Sequence, residues 1–287
     1  MPQKYKNIRV NRILTFINPI PHICRVKRPY YIALLLVIFA SCQSKDGDFT
    51  FFSPEEDVTI GRQMDAAFVA DAAQFPVLPR DRHKELYEAL EGIRDKILDS
   101  DDLLHRDEFV WDLKIIQNDT VYNAFCTPGG FIYIYTGLLH FVTSEDELAG
   151  IIGHEIAHGD LRHGTDQMTK TYGLKVVVGL LTGSDGELLT NLGVSLLGLK
   201  FSRADESEAD AFAVKYLSDT DYDPKAFGTF FDRMLEKEGS MGNFQFLSTH
   251  PNPENRIANI ETYWKEEGSK KGSDHSASFR KIKKLLP

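Results

Sequence analysis

The stretch SEDELAGIIGHEIAHGDLRH, residues 144–163, decides how this chain folds and where its chemistry sits. Ser144 with Glu147 three residues on predicts a helix start, the hydroxyl accepting from the third backbone N–H and the Glu reaching back. Within that helix His154 and His158 are four residues apart, so both imidazoles project from one face about one turn apart. The spacing fits two neighbouring corners of a tetrahedral site, and zinc is the ion such a pair suits. Glu155 lies about 100° round the helix from His154, where it can serve as a base for water beside the metal. A solvent-facing helix with two histidines and an acid would carry the same letters. Ile151, Ile152 and Ile156 argue against that, because they make the helix apolar on most sides and therefore buried.

A zinc that does chemistry takes a third protein ligand and keeps one position open. His163 is five residues after His158, about 140° off the ligand face of a continuous helix, which gives it a structural or orienting role. SRADESEADAF, residues 202–212, offers more. Glu206 and Asp210 share a helical face, while Asp205 and Glu208 point elsewhere. One carboxylate can bind the metal while the other accepts the outer N–H of a liganding histidine. Glu206 is favoured as the ligand. Without HEIAH the same segment would read as an acidic, solvated helix.

Around these motifs the periodicity alternates between helix and strand. SPEE at 53–56 predicts a capped helix running to about 74, and a second helix covers about 81–99. Residues 109–116, 121–125 and 131–135 read as short strands, with a turn at Asn118-Asp119 and punctuation at Pro128-Gly129-Gly130. The expected class is α+β, mostly helical, with a small and mainly antiparallel sheet. Further helices are predicted at about 205–219, 224–238 and 253–266. Residues 173–200 form two apolar helical pieces broken by Gly-Ser-Asp-Gly, an apolar hairpin that covers the domain or touches a membrane. The stretch 267–287 reads as a flexible basic tail.

Charge separates the leader from the body. Residues 1–42 hold seven Lys or Arg and no acid, leaving 26 basic against 42 acidic residues in the remainder. An acidic body without a basic face argues against nucleic-acid binding. The run IALLLVIFAS before Cys42 has the length of a signal-peptide core. Ala40 and Ser41 before Cys42 match a bacterial lipobox, which predicts cleavage there, a lipid anchor on Cys42 and a tether over 43–52. A mitochondrial presequence would also be basic and acid-free. Cys24 leaves with the leader, so Cys126 has no partner for an intrachain disulfide and is expected as a small core residue.

The ordered set Asn123-Ala124-Phe125, Pro128-Gly129-Gly130, HEIAH, Glu206-x-x-Ala209-Asp210 and His250-Pro251 followed by Arg256 resembles the membrane-associated zinc peptidases, the family of HtpX, the CAAX prenyl endopeptidases, BepA and LoiP. The likeness runs over about residues 55–265. It implies a gluzincin domain over 53–266, one Zn2+ on His154, His158 and Glu206, and Glu155 as the base. It further implies an edge strand from Asn123 to Phe131, including Gly129 and Gly130, along which a peptide pairs by main-chain hydrogen bonds. His250 matches a late histidine that either stabilises the oxyanion or binds the zinc in a resting form, and Arg256 matches an arginine near the site. The lipobox and single domain place the chain nearest the LoiP-like lipoproteins. The implied role is an endopeptidase of the bacterial envelope, at the outer membrane facing the periplasm, acting on misfolded or outer-membrane proteins. A lipoprotein chaperone or assembly factor using the same groove is the alternative.

Overall fold

The first helix, α1 (Pro54–Ala70), begins where the sequence predicts: Ser53 Oγ accepts from Glu56 N, and Ser53 N donates to Glu56 Oε2 at 2.7 Å. The structure is a computed structural model, described here for residues 52–173, 179, 200–237, 245–251 and 253–287. Helix α2 (Lys84–Leu98) follows, and then three strands: β1 (Asp112–Ile116), β2 (Ala124–Thr127) and β3 (Phe131–Tyr135). Beyond them come α3 (Thr136–Phe141), α4 (Glu145–Asp160), α5 (His163–Tyr172), α6 (Arg203–Ser218), α7 (Ala226–Lys237), α8 (Gln245–Thr249), α9 (Pro253–Glu266) and α10 (Ser276–Leu285). The mostly helical α+β class is as predicted.

The sheet is mixed, not mainly antiparallel. Its order is β1-β3-β2, with β1 parallel to β3 and β2 antiparallel to β3. Every residue of β3, FIYIY, is buried, so it takes the centre and separates the two strands that the turn at Asn118-Asp119 was expected to join. That turn serves α3 instead. Asn118 O accepts from Gly137 N, and Thr136 Oγ1 bonds both Asn118 N and Asp119. Strand β2 is left at an edge, with no second strand partner among the described residues.

Helix α4 is the axis of the domain. Of its sixteen residues only Asp146 is not buried, and it packs against α6, α7, α2 and β2. Gly159 makes the last approach possible, since a Cβ there would stand 3.0 Å from Cys126 Sγ. Ser144 Oγ caps the helix at Glu147 N, but the Glu147 carboxylate does not return to the cap residue. It takes Thr143 N at 2.9 Å, the Thr229 hydroxyl and the forked Arg233 guanidinium, tying α4 to α7. Those contacts outweigh the cost of burial and hold the Glu147 carboxyl below its usual range. At the far end, buried Asp160 accepts from Leu104 N, His105 N and the Tyr216 hydroxyl. Just beyond it, Arg162 adopts a left-handed φ of 61° and donates to buried Asp57 of α1 at 2.6 Å.

The expected flexible tail carries α10. Phe279, Ile282, Leu285 and Leu286 recur at helical spacing and pack on the core, while Lys283 Nζ donates to the carbonyls of Leu139 and His140. Its apolar stripe outweighs the Ser, Gly and Lys composition from which mobility was read. The predicted leader with Cys42 and most of the apolar hairpin over 173–200 lie outside the described residues. No described helix is long and apolar enough to cross a membrane.

Candidate metal centre

Two helices and one loop converge on a single buried point. His154 and His158 come from α4, Glu206 from the first turn of α6, and His250 from just after α8. The ligand atoms of all four lie within 4.8 Å of one another. His154 Nε2 is 3.0 Å from His158 Nε2 and 3.2 Å from His250 Nδ1, and His250 Nδ1 is 2.9 Å from Glu206 Oε1. Glu206 also stands 3.6 Å from each of His154 Nε2 and His158 Nε2. A tetrahedral zinc with Zn–N near 2.0–2.1 Å would space its ligand atoms about 3.3 Å apart, so these edges bracket what the ion requires. Glu206 Oε2 is buried without a hydrogen bond, and two imidazole nitrogens face each other across 3.0 Å. The donor set fits a zinc-like cation.

Protonation states point the same way. Burial, with the Arg256 charge next in weight, pushes His154 well below its usual value. Burial also takes His158 down to about 3, so both imidazoles are neutral and able to ligate. Burial alone would raise Glu206. The charges of His250 and Arg256, with hydrogen bonds from His158 and His250, outweigh it and hold Glu206 well below the carboxylate range.

Each liganding histidine is gripped from behind. Asp210 Oδ1 lies 3.1 Å from His154 Nδ1, the orienting contact expected of the second carboxylate. Asp210 is itself held by Arg256 through Nε at 2.8 Å and Nη2 at 2.6 Å. The Arg256 guanidinium stacks 4.2 Å over Phe231 and places Nη1 2.8 Å from Glu206 Oε2, without hydrogen-bond alignment. His158 Nδ1 meets His163 Nδ1 at 2.9 Å, and His163 Nε2 reaches Glu208 Oε2 at 3.2 Å. His163 therefore orients a ligand, but from the start of α5, because the helix breaks at Arg162 and the angle expected of a continuous helix does not apply. The Phe201 ring stacks on His158 with centroids 4.1 Å apart. Nothing in the local sequence marks Phe201 or Glu208 for these tasks.

Glu155 sits beside the cluster, fully buried, and burial raises its pKa to about 7. Its Oε1 has no hydrogen-bond partner and is 3.6 Å from His250 Nε2. The backbone N–H of Cys126, on the open edge of β2, contributes to holding the carboxylate. Cys126 packs against the core as expected, but it is only partly buried and also lines a pocket. Burial, with Glu155 adding to it, pushes its thiol far up, which leaves it a poor nucleophile.

Of the expected edge-strand residues, Asn123, Ala124 and Phe125 lie at or on β2 beside the cluster. Ala124 points into the core, and Phe125 stacks on Tyr133 with centroids 4.7 Å apart. Gly129 and Gly130, at φ of 77° and 85°, form the β2–β3 turn. They pack against Val58 and Trp111, not along the open edge.

A buried HExxH pair, a carboxylate four residues ahead of its orienting partner, and an adjacent free carboxylate define a zincin-like metallopeptidase domain. Residues 87–264, more than half the chain, match the model of Peptidase family M48, and the chain belongs to that family. It is 37% identical over 163 residues to mitochondrial metalloendopeptidase OMA1 of Schizosaccharomyces pombe, covering 54% of this chain and 47% of that protein. With the protein of the same name in Arabidopsis thaliana it shares 33% over 153 residues, covering 53% and 31%. With the beta-barrel assembly-enhancing protease of Escherichia coli K12 it shares 29% over 158 residues, covering 50% and 32%. The chain thus spans about half or less of the curated relatives it matches.

Proposed function

We propose that this chain is a zinc-dependent endopeptidase. The observation that carries the reading is the convergence of His154, His158 and Glu206 on one point, with Glu155 beside it, its Oε1 without a hydrogen bond among the described residues, and an open strand edge alongside. Zinc, when bound, supplies a Lewis acid that polarises a carbonyl and brings the pKa of water down toward about 7. His154 Nε2, His158 Nε2 and Glu206 hold it, while Asp210 and His163 fix the two rings. Strand β2 receives an extended peptide through the main-chain groups that β3 and Glu155 leave free, which brings a carbonyl past Glu155. Glu155 takes a proton from the attacking water and returns it to the leaving amine.

His250 fills the fourth position of the cluster in this structure, which supports a resting state in which its imidazole must withdraw before substrate enters. In that position its Nε2 is 3.6 Å from Glu155 Oε1, and the oxyanion role that the resemblance implies is the alternative to blocking. Zinc-loaded protein incubated with an unfolded protein substrate should yield internal fragments, and a chelator should stop it. His250→Ala should cut several-fold faster if the histidine chiefly blocks, and slower if its oxyanion role dominates. Absence of fragments with every zinc-loaded form would refute the assignment.

We further propose a lipid-anchored protein of the bacterial envelope, nearest the LoiP-like lipoproteins, acting on misfolded or outer-membrane proteins. The lipobox at Cys42 and the acid-free leader support this, as does the likeness to a protease named for β-barrel assembly. The likeness to mitochondrial OMA1 favours a second reading of the same leader as a presequence. Membrane fractions of cells making wild type and Cys42→Ser decide between them. Lipid labelling that is lost in Cys42→Ser is expected, and import into mitochondria without labelling would exclude the anchor.

A further inference from the structure

Beside the cluster, the open edge of β2 faces a narrow pocket. Its walls come from Cys126, Thr127 and Pro128 on one side and from Gly164 of α5 and Phe201 on the other, and it reaches His250 at the metal centre. The cavity is about 30 Å3 to a water-sized sphere. Its width is set at Gly164, where an added Cβ would already touch Pro128 Cδ at 3.7 Å, so the space there suits a short side chain. Among the described residues no Lys, Arg, Asp or Glu lines it, and most of its wall is carbon. A charged side chain entering it would lose its water; the described lining offers a cation no counter-charge and offers an anion only His250, which Glu206 and Glu155 already face.

Two buried polar side chains stand at the ends of this pocket without partners. Both polar atoms of Asn123, just before β2, lack a hydrogen bond, and so does Thr127 Oγ1 at the end of the strand. These residues are 0% and 3% exposed, a degree of burial at which polar atoms are normally satisfied. Four residues apart on one strand, they flank the stretch along which an extended chain would lie. Gly164 keeps the opposite wall bare. A Cβ added there meets nothing nearer than Pro128 Cδ at 3.7 Å, so alanine fits and any longer side chain would occupy the pocket.

We propose that this pocket selects the substrate by accepting one small uncharged side chain, Ala, Ser, Thr or Val, at the residue next to the scissile bond. Asn123 and Thr127 bond the substrate main chain on either side. The inference rests on the peptidase reading and narrows its substrate class.

The test is a degenerate peptide library cut by the zinc-loaded wild-type chain, with cut sites read by mass spectrometry. One of the two positions flanking the cut should show at least ten-fold depletion of Lys, Arg, Asp, Glu, Phe and Trp relative to Ala and Val. Gly164→Leu, checked for an unchanged melting temperature, should narrow that position to Gly and Ala, while Gly164→Ala should narrow it to a smaller extent. Equal use of large or charged residues at both positions overturns the proposal, as does a Gly164→Leu profile identical to wild type. A library left wholly uncut counts against the peptidase reading. Binding of the same peptides to zinc-loaded Glu155→Gln, followed by fluorescence anisotropy, then judges the pocket by itself. Selective binding weakened ten-fold by Gly164→Leu supports it, and indiscriminate or absent binding overturns it.

Discussion

Glu155→Gln should lower peptide cleavage by about a thousand-fold, within the range general bases contribute, while the purified variant still carries close to one zinc per chain. The two halves of the expectation come from different atoms. Glu155 is not among the four converging groups, so a carboxamide of the same shape leaves them in place. What is lost is the ability to accept a proton. Burial raises the native carboxyl to about 7, and a dication beside it would pull that value down by attraction. The ionised form is the active one, so wild-type activity should fall as pH drops through the Glu155 pKa. Metal content and cleavage are measured on the same preparation. Retained hydrolysis in the variant, with contaminating proteases excluded, would move the base elsewhere. Loss of zinc together with activity would show that Glu155 helps to hold the site.

The legible parts of this protein are those whose signal is local. A Ser cap, a four-residue spacing and an apolar run place His154, Glu155 and His158 on a buried helix, and the same spacing logic sets Glu206 and Asp210 apart from Asp205 and Glu208. The angle of a continuous helix puts His163 off the ligand face; the helix in fact breaks at Arg162, and His163 meets His158 Nδ1 from the start of α5. What escaped depends on tertiary packing. The parallel pairing of β1 with β3 arises because the wholly apolar β3 takes the centre of the sheet. Helix α10 hides a regular apolar stripe in a composition typical of mobile tails. His250 has no local sign of a role, since it follows a five-residue helix, and only the resemblance to a family singled it out. Cys126 is expected in the core for want of a disulfide partner; its Sγ does pack against α4 at Gly159, but its place on the edge strand also exposes it to the pocket, which only tertiary structure shows.

Arg256→Met should be the most destabilising single change at the site, and more so without zinc than with it. The guanidinium lies between two buried carboxylates, Asp210 and Glu206, and is itself 3% exposed. Removing one partner of a buried ion pair costs about 3–5 kcal/mol, because the remaining charge stays desolvated. In a domain of this size each kcal/mol shifts the melting temperature by roughly 2–4 °C, so a fall of about 6–20 °C is expected in the metal-free protein. With zinc in place Glu206 has another counter-charge, and only Asp210 remains uncompensated. The fall should then be clearly smaller. Asp210 also orients His154, so zinc affinity should drop about 10–100-fold. Arg256→Lys should recover only part of this, since an ammonium is a point charge and cannot fork onto Asp210 while reaching Glu206. Thermal melts of wild type, Arg256→Met and Arg256→Lys, each with chelator and with saturating zinc, provide the comparison. Equal losses in both conditions would mean that Arg256 packs on Phe227 and Phe231 without holding the charges of the site, and a melting temperature unchanged from wild type would remove it from the site altogether.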